Sequence, residues 1–97
     1  MKVAAGLRCS GAQGLGFCYC GNAAGWIVAQ GVRDLLAKHV VGKVSHQPGG
    51  IWDAMYKDAL LMGRRGAIVR GMSAIDTALW DVNAKEAELP LYQYLGG

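Results

Sequence analysis

The chain has 97 residues, 53% of them hydrophobic and 18% charged, with 15 glycines and a net charge of +3. That length holds a modest single core but not a (β/α)8 barrel, which needs about 200 residues or more. The composition excludes intrinsic disorder, and the 10 Lys and Arg are scattered, with no basic tract suited to nucleic acid or an anionic membrane surface.

No apolar run reaches the roughly 18 residues of a membrane span. Lys2 to Cys9 alternates, with Val3, Ala5, Leu7 and Cys9 on one face and Lys2 and Arg8 on the other, which predicts a half-buried strand. Arg8 arrives before an apolar core of signal length develops, so no secretory leader is expected and a cytoplasmic location is. Ser10 to Gly14 reads as a hairpin turn. Leu15, Phe17 and Tyr19 then share one face of a second strand, with Gly16, Cys18 and Cys20 on the other. A two-stranded hairpin is marginal alone, and the chain opens inside it, so an upstream strand is expected.

Gly21 to Gly25 reads as a loop, with Asn22 a candidate helix N-cap. Val28, Val32, Leu35, Leu36, His39 and Val40 follow at helical spacing and predict a first helix closed by Gly42. A second helix starts at His46-Gln47-Pro48, since proline is tolerated in a first turn. Its apolar face is Ile51, Trp52, Met55, Tyr56, Ala59 and Leu60, and Gly63 stops it. Gly63-Arg64-Arg65-Gly66 is a tight linker into a third helix over 67–87, and Pro90 to Leu95 adds a last turn. The predicted class is α+β: a short antiparallel hairpin followed by a three-helix bundle.

The third helix is apolar or small nearly all round. Ile68, Met72, Ile75, Leu79 and Val82 form one stripe, expected to face the other two helices. Val69, Ser73, Asp76 and Trp80 form a second, with Ala74 and Ala78 on further faces. Such a profile belongs to a helix buried on both sides. A hairpin and two helices hardly supply two covers, so the second stripe is expected to meet a partner surface outside this chain.

Motifs for chemistry are absent from the residue pattern. Three cysteines are an odd number, which argues against a disulfide framework and for a reducing compartment. Cys18 and Cys20, with His39 and His46 downstream, lack a fourth ligand at zinc spacing; small buried hydrophobes are the ordinary reading of these thiols. The glycines of Gly11 to Gly16 do not fall as a dinucleotide fingerprint, and Gly42-Lys43 lacks the rest of a phosphate loop. Arg64-Arg65 reads as a solvated turn or a carboxylate-paired interface, and His39 as a packed histidine. Asp53, Asp58, Asp76, Asp81, Glu86 and Glu88 fall on predicted helices, not on strand ends converging on a metal.

Longer blocks do match a known pattern. Ser73-Ala74-Ile75-Asp76-Thr77-Ala78-Leu79-Trp80-Asp81-Val82-Asn83-Ala84-Lys85, followed by Pro90-Leu91-Tyr92-Gln93-Tyr94-Leu95-Gly96-Gly97, resembles a signature of the mandelate racemase and muconate lactonizing group of the enolase superfamily. Leu15-Gly16-Phe17, Ile51-Trp52-Asp53-Ala54-Met55-Tyr56 and Gly63-Arg64-Arg65-Gly66 fit it in order and spacing. Departures are small: Gly71 where the family usually has Ala, Asn83-Ala84 where Lys-Gly or Arg-Gly is common, and Tyr94 where Leu is common.

The resemblance implies a capping domain, a three-stranded sheet followed by a helical bundle, docked on a magnesium-dependent barrel. The family removes a proton α to a carboxylate and stabilises the enediolate on the metal. Its metal ligands, Lys-x-Lys motif and His–Asp pair would lie after Gly97, and no Lys-x-Lys occurs here. The first strand and first specificity loop would lie before Met1, making residues 1–97 a truncated cap with no catalytic residue, no metal ligand and no cofactor of its own. The implied partners are the barrel, with Val69, Ser73, Asp76 and Trp80 as the interface, and a sugar-acid substrate. The second specificity loop would span 18–25, with Tyr19, Cys20 and Asn22 as substrate-contacting positions, because Tyr and Asn can hydrogen-bond sugar hydroxyls. The polar loop and the Gly-Arg-Arg-Gly turn look most like acid-sugar dehydratases, and the family implies a homo-oligomeric parent. The competing reading is a free-standing α+β module that uses the barrel-facing helix surface to bind another protein.

Overall fold

In a computed structural model, residues 2–9, 12–20, 25–43, 46–62 and 65–97 are described, those of the first strand by their backbone. Strands β1 (Lys2–Cys9) and β2 (Ala12–Tyr19) pair antiparallel, from Cys9 opposite Ala12 to Lys2 opposite Tyr19. The second strand therefore starts before the predicted Leu15. Pairing of Cys9 with Ala12 leaves a connection of only residues 10 and 11, the short hairpin length that matches strand twist, and Gly14 is strand rather than turn.

The predicted first helix changes its winding along its length. α1 (Gly25–Gly31) runs into a π-helical stretch, Val32–Leu36, and a 3-10 turn, Ala37–His39. Gly42 has φ +79°, the left-handed conformation expected of a helix-closing glycine. α2 (Pro48–Ala59) has its proline in the first turn, as predicted, and continues as a 3-10 turn over Leu60–Met62. The tighter winding rotates Leu60 off the apolar face, and it is exposed rather than part of the core. Gly63 and Arg64 lie outside the described residues. α3 (Ala67–Glu86) follows Gly66 at φ +90°, and α4 (Leu91–Tyr94) is the predicted last turn.

One side of α3 meets the helices. Met72, Ile75 and Leu79 join Leu36, Ile51, Met55 and Ala59 in the main core, with Ile68, Trp52 and Tyr56 half-buried around it. A second side meets the hairpin. Gly14 lies against Ala78 and Val82, and Gly16 against Ala74, Ala78 and Thr77, so closely that β2 rides on the helix backbone. Two expectations are corrected here. Val82 faces the hairpin, not the helices. The hairpin and the two other helices do supply two covers for α3, because paired glycines and alanines let the strand approach where larger side chains would hold it away.

Charged side chains of α3 also engage the backbone of β2. Asp81 Oδ2 accepts from Leu15 N–H at 2.9 Å, while Lys85 Nζ donates to Gln13 C=O and Arg70 Nη1 to Tyr19 C=O, both at 2.8 Å. Alternate residues of an antiparallel strand point their backbone groups to one edge, so all three bonds fall along the edge of β2 away from β1. Lys85 also pairs with Asp81 at 3.0 Å, one helical turn apart. The other face of β2 presents Leu15, Phe17 and Tyr19, which are 51%, 55% and 61% exposed. Among the described residues no helix is long and apolar enough to cross a membrane.

Candidate substrate loop and domain interface

The candidate loop leaves β2 at Tyr19 and enters α1 at Gly25. Its first end is fixed by the Arg70 guanidinium on the Tyr19 carbonyl, its second by Gly25, which is buried. The Tyr19 side chain stands out from the strand end, and its phenol can donate or accept a hydrogen bond to a hydroxylated ligand. Cys20 turns the other way: it is 9% exposed and its Sγ lies 3.7 Å from Cys18 Sγ. Alternation at the strand end thus separates the two described positions, one outward and one inward. Asn22 lies outside the described residues, with its neighbours 21, 23 and 24.

Along α3, Val69, Ser73, Asp76 and Trp80 occupy the arc left over by the hairpin and the helical core. Val69 is half-buried against the rim of that core, while Ser73 is exposed. Asp76 is half-buried, and desolvation holds its pKa above the ordinary carboxylate value. Among the described residues no cation pairs with it. Trp80 is half-buried and meets the Tyr94 ring edge-on, with centroids 5.9 Å apart. Ser73, Asp76 and Trp80 therefore share a strip turned from both internal covers, with Val69 at its end.

Several contacts around the candidate site escaped the sequence pattern. Arg70, Asp81 and Lys85 look like solvent-facing charges on an apolar helix; their spacing along one side of α3 is the available signal that they share a partner. His39, read as packed, is half-buried with Nε2 2.8 Å from Asp58 Oδ2, and Lys38 Nζ is 3.0 Å from the same oxygen. Hydrogen bonds from His39 and Lys38 hold the Asp58 carboxyl below its ordinary pKa. Among the described residues no three His, Cys, Asp or Glu side chains converge to hold a metal ion. Magnesium does not fit the residues described here.

Comparison with known proteins identifies the architecture. Residues 3–96 match the sequence profile of the mandelate racemase / muconate lactonizing enzyme N-terminal domain. The fold superposes with a TM-score of 0.94 on a racemase from Streptomyces coelicolor A3(2) with bound magnesium, at 34% identity, covering 99% of this chain and 29% of that one. It superposes at 0.88 on L-talarate/galactarate dehydratase from Salmonella typhimurium LT2, at 32% identity, covering 98% and 24%. The D-mannonate dehydratase of Rhizorhabdus wittichii is 42% identical over 71 residues, 72% of this chain and 17% of its own length. The chain thus spans less than a third of each of these proteins. Its hairpin, helical bundle and near-complete profile match place it in the mandelate racemase / muconate lactonizing enzyme family of the enolase superfamily, as the N-terminal domain.

Proposed function

We propose that this domain caps the barrel of a cytoplasmic, magnesium-dependent acid-sugar dehydratase or racemase that acts by α-proton abstraction. The single observation that carries the reading is the match over residues 3–96 to a domain that makes up only part of racemases and acid-sugar dehydratases. Among the described residues no three His, Cys, Asp or Glu side chains converge on a metal position, which supports assigning shape and hydrogen bonds to this domain. The metal and the groups that move the proton belong to the barrel.

Two surfaces carry the role. The arc of Ser73, Asp76 and Trp80, continued by Val69, docks the barrel, and the segment from Tyr19 through Asn22 closes over the distal end of the substrate. Tyr19 projects from a strand end whose backbone carbonyl is held by Arg70. Cys20, turned inward, shapes the loop from beneath.

The test is an acid-sugar panel with magnesium, run on this chain and on the protein encoded by the extended reading frame. The extended protein is expected to turn over at least one acid sugar; the 97-residue chain, none. Tyr19→Phe in the extended protein should redistribute rates across the panel while leaving its melting temperature nearly unchanged. A reading frame that ends without a barrel, or turnover by this chain alone, refutes the proposal.

A further inference from the structure

Cys18 and Cys20 form a close thiol pair. Side chains two residues apart on a strand share one face, and here both thiols lie on the side of β2 toward α3. Their sulfurs are 3.7 Å apart, and Cys20 Sγ lies 3.8 Å from the Cys18 carbonyl oxygen. A disulfide needs an S–S separation of about 2.05 Å and Cα atoms within about 4.4–6.8 Å. Residues two apart in an extended strand stand about 6.5 Å apart, inside the upper end of that range. Bonding also needs Cβ atoms about 3.5–4.5 Å apart, so closing the remaining gap of about 1.7 Å takes side-chain rotation together with an inward bend of the backbone at Cys20.

The backbone is placed to permit that bend. Cys18 pairs across the ladder with Val3, but Tyr19 is the last residue of β2 and Cys20 lies beyond it. Cys20 itself is therefore outside the strand ladder. Accessibility is also divided: Cys18 is half-buried, while Cys20 is buried. A small reagent can reach the first thiol, and the second is stationed next to it.

We propose that Cys18 and Cys20 are a reversible thiol–disulfide site that exchanges with low-molecular-weight disulfides. The Cys18 thiolate attacks one sulfur of the reagent disulfide, forming a mixed disulfide and releasing one thiolate. The Cys20 thiolate then attacks the Cys18 sulfur, forming the Cys18–Cys20 bond and releasing the second thiolate. Both cysteines are oxidised, the reagent is reduced to two thiols, and the protons lost by the cysteines go to the released thiolates. The ring encloses Tyr19, whose carbonyl Arg70 holds, so closure acts on the root of the segment leading to α1.

The chain is incubated with oxidised glutathione under native conditions, then alkylated, weighed intact and mapped by peptide mass spectrometry. The expected product carries one alkyl group, on Cys9, is otherwise lighter by two hydrogens through a Cys18–Cys20 link, and keeps its helical circular dichroism. Cys20→Ser should instead stop at a stable glutathione adduct on Cys18. Dithiothreitol should reverse both products. A persistent adduct on the unsubstituted chain, a bond to Cys9, a disulfide between chains, loss of helical signal on oxidation, or no reaction each overturns the proposal. Because the readout is mass and not turnover, it stands or fails independently of the capping role.

Discussion

Replacing Gly16 by alanine tests the packing of β2 on α3. A Cβ added there would sit 2.0 Å from the Ala74 carbonyl oxygen and 2.7 Å from the Ala78 nitrogen, where ordinary contact begins near 3.4 Å. Both obstacles are backbone atoms of a 20-residue helix and cannot rotate away. The strand must instead withdraw by on the order of 1 Å, which forfeits a quarter to a half of the dispersion energy across the contact. Overpacking of this kind costs about 1–3 kcal/mol, offset by roughly 0.4–1 kcal/mol because alanine restricts the unfolded chain. Since the obstacles are rigid, the upper part of the range applies, and the net loss is about 2 kcal/mol. At about 4–8 °C per kcal/mol for a domain of this size, Gly16→Ala should melt about 8–16 °C lower, read by circular dichroism. Gly50→Ala is the control: nothing lies within 4 Å of its added Cβ, and it sits in the first turn of α2. It should raise stability by about 0.4–1 kcal/mol. If Gly16→Ala melts together with the unsubstituted chain, the strand does not ride on the helix backbone as described.

Three further outcomes are expected. Burial raises the Asp81 pKa, but bonds from Leu15 N–H and Lys85 outweigh it and leave the carboxyl below its ordinary value. Its stabilisation is therefore present above the unfolded pKa of about 3.9 and lost as pH falls through the folded value, so Asp81→Asn should cost about 1 kcal/mol at pH 7 and little in acid, measured by urea melts across pH. Asp76 has the opposite sign: its pKa is raised by desolvation, so its cost to stability grows as pH rises from the unfolded to the folded value. Asp76→Asn should raise the melting temperature at pH 7 and lose that gain at acid pH; no gain at pH 7 contradicts the assignment. Trp80→Gln should lower self-association in sedimentation velocity and leave helix content nearly unchanged, at a loss of roughly 0.5–1.5 kcal/mol from the edge contact with Tyr94. Unaltered sedimentation would show that this arc is not an adhesive surface.

Much of the helical frame was legible because it rests on local rules. The stripe of Met72, Ile75 and Leu79, the proline opening α2 and the closing Gly42 all follow from periodicity, fixed φ and the freedom of glycine. Gly14 and Gly16 were not legible in the same way. Glycine signals a turn locally, and its purpose here is the backbone of α3, about 60 residues away, a contact no short-range pattern carries. The same distance hid Arg70, Asp81 and Lys85, whose partners are backbone groups without a sequence signature. Tyr19 was readable as an outward position from alternation alone. The candidate interface was readable as a stripe, but the reason offered for it needed correction, since the chain covers two sides of α3 and leaves this arc as the third. No residue spacing pointed to chemistry; the family blocks at 73–85 and 90–97 did, and the profile match bears out that family.

The charged side chains that α3 sends to β2 make the two margins of the sheet unlike. Arg70, Asp81 and Lys85 occupy backbone groups on the outer edge of β2, whereas β1 has no second strand partner among the described residues. An exposed strand edge ordinarily templates the next strand, and a sheet with two such edges can propagate without limit. Here addition is directional. A further strand, from whatever source, joins beside β1, and two molecules that meet there consume the open margin of each. Between these two strands, further edge pairing is thus expected at β1 and not at β2.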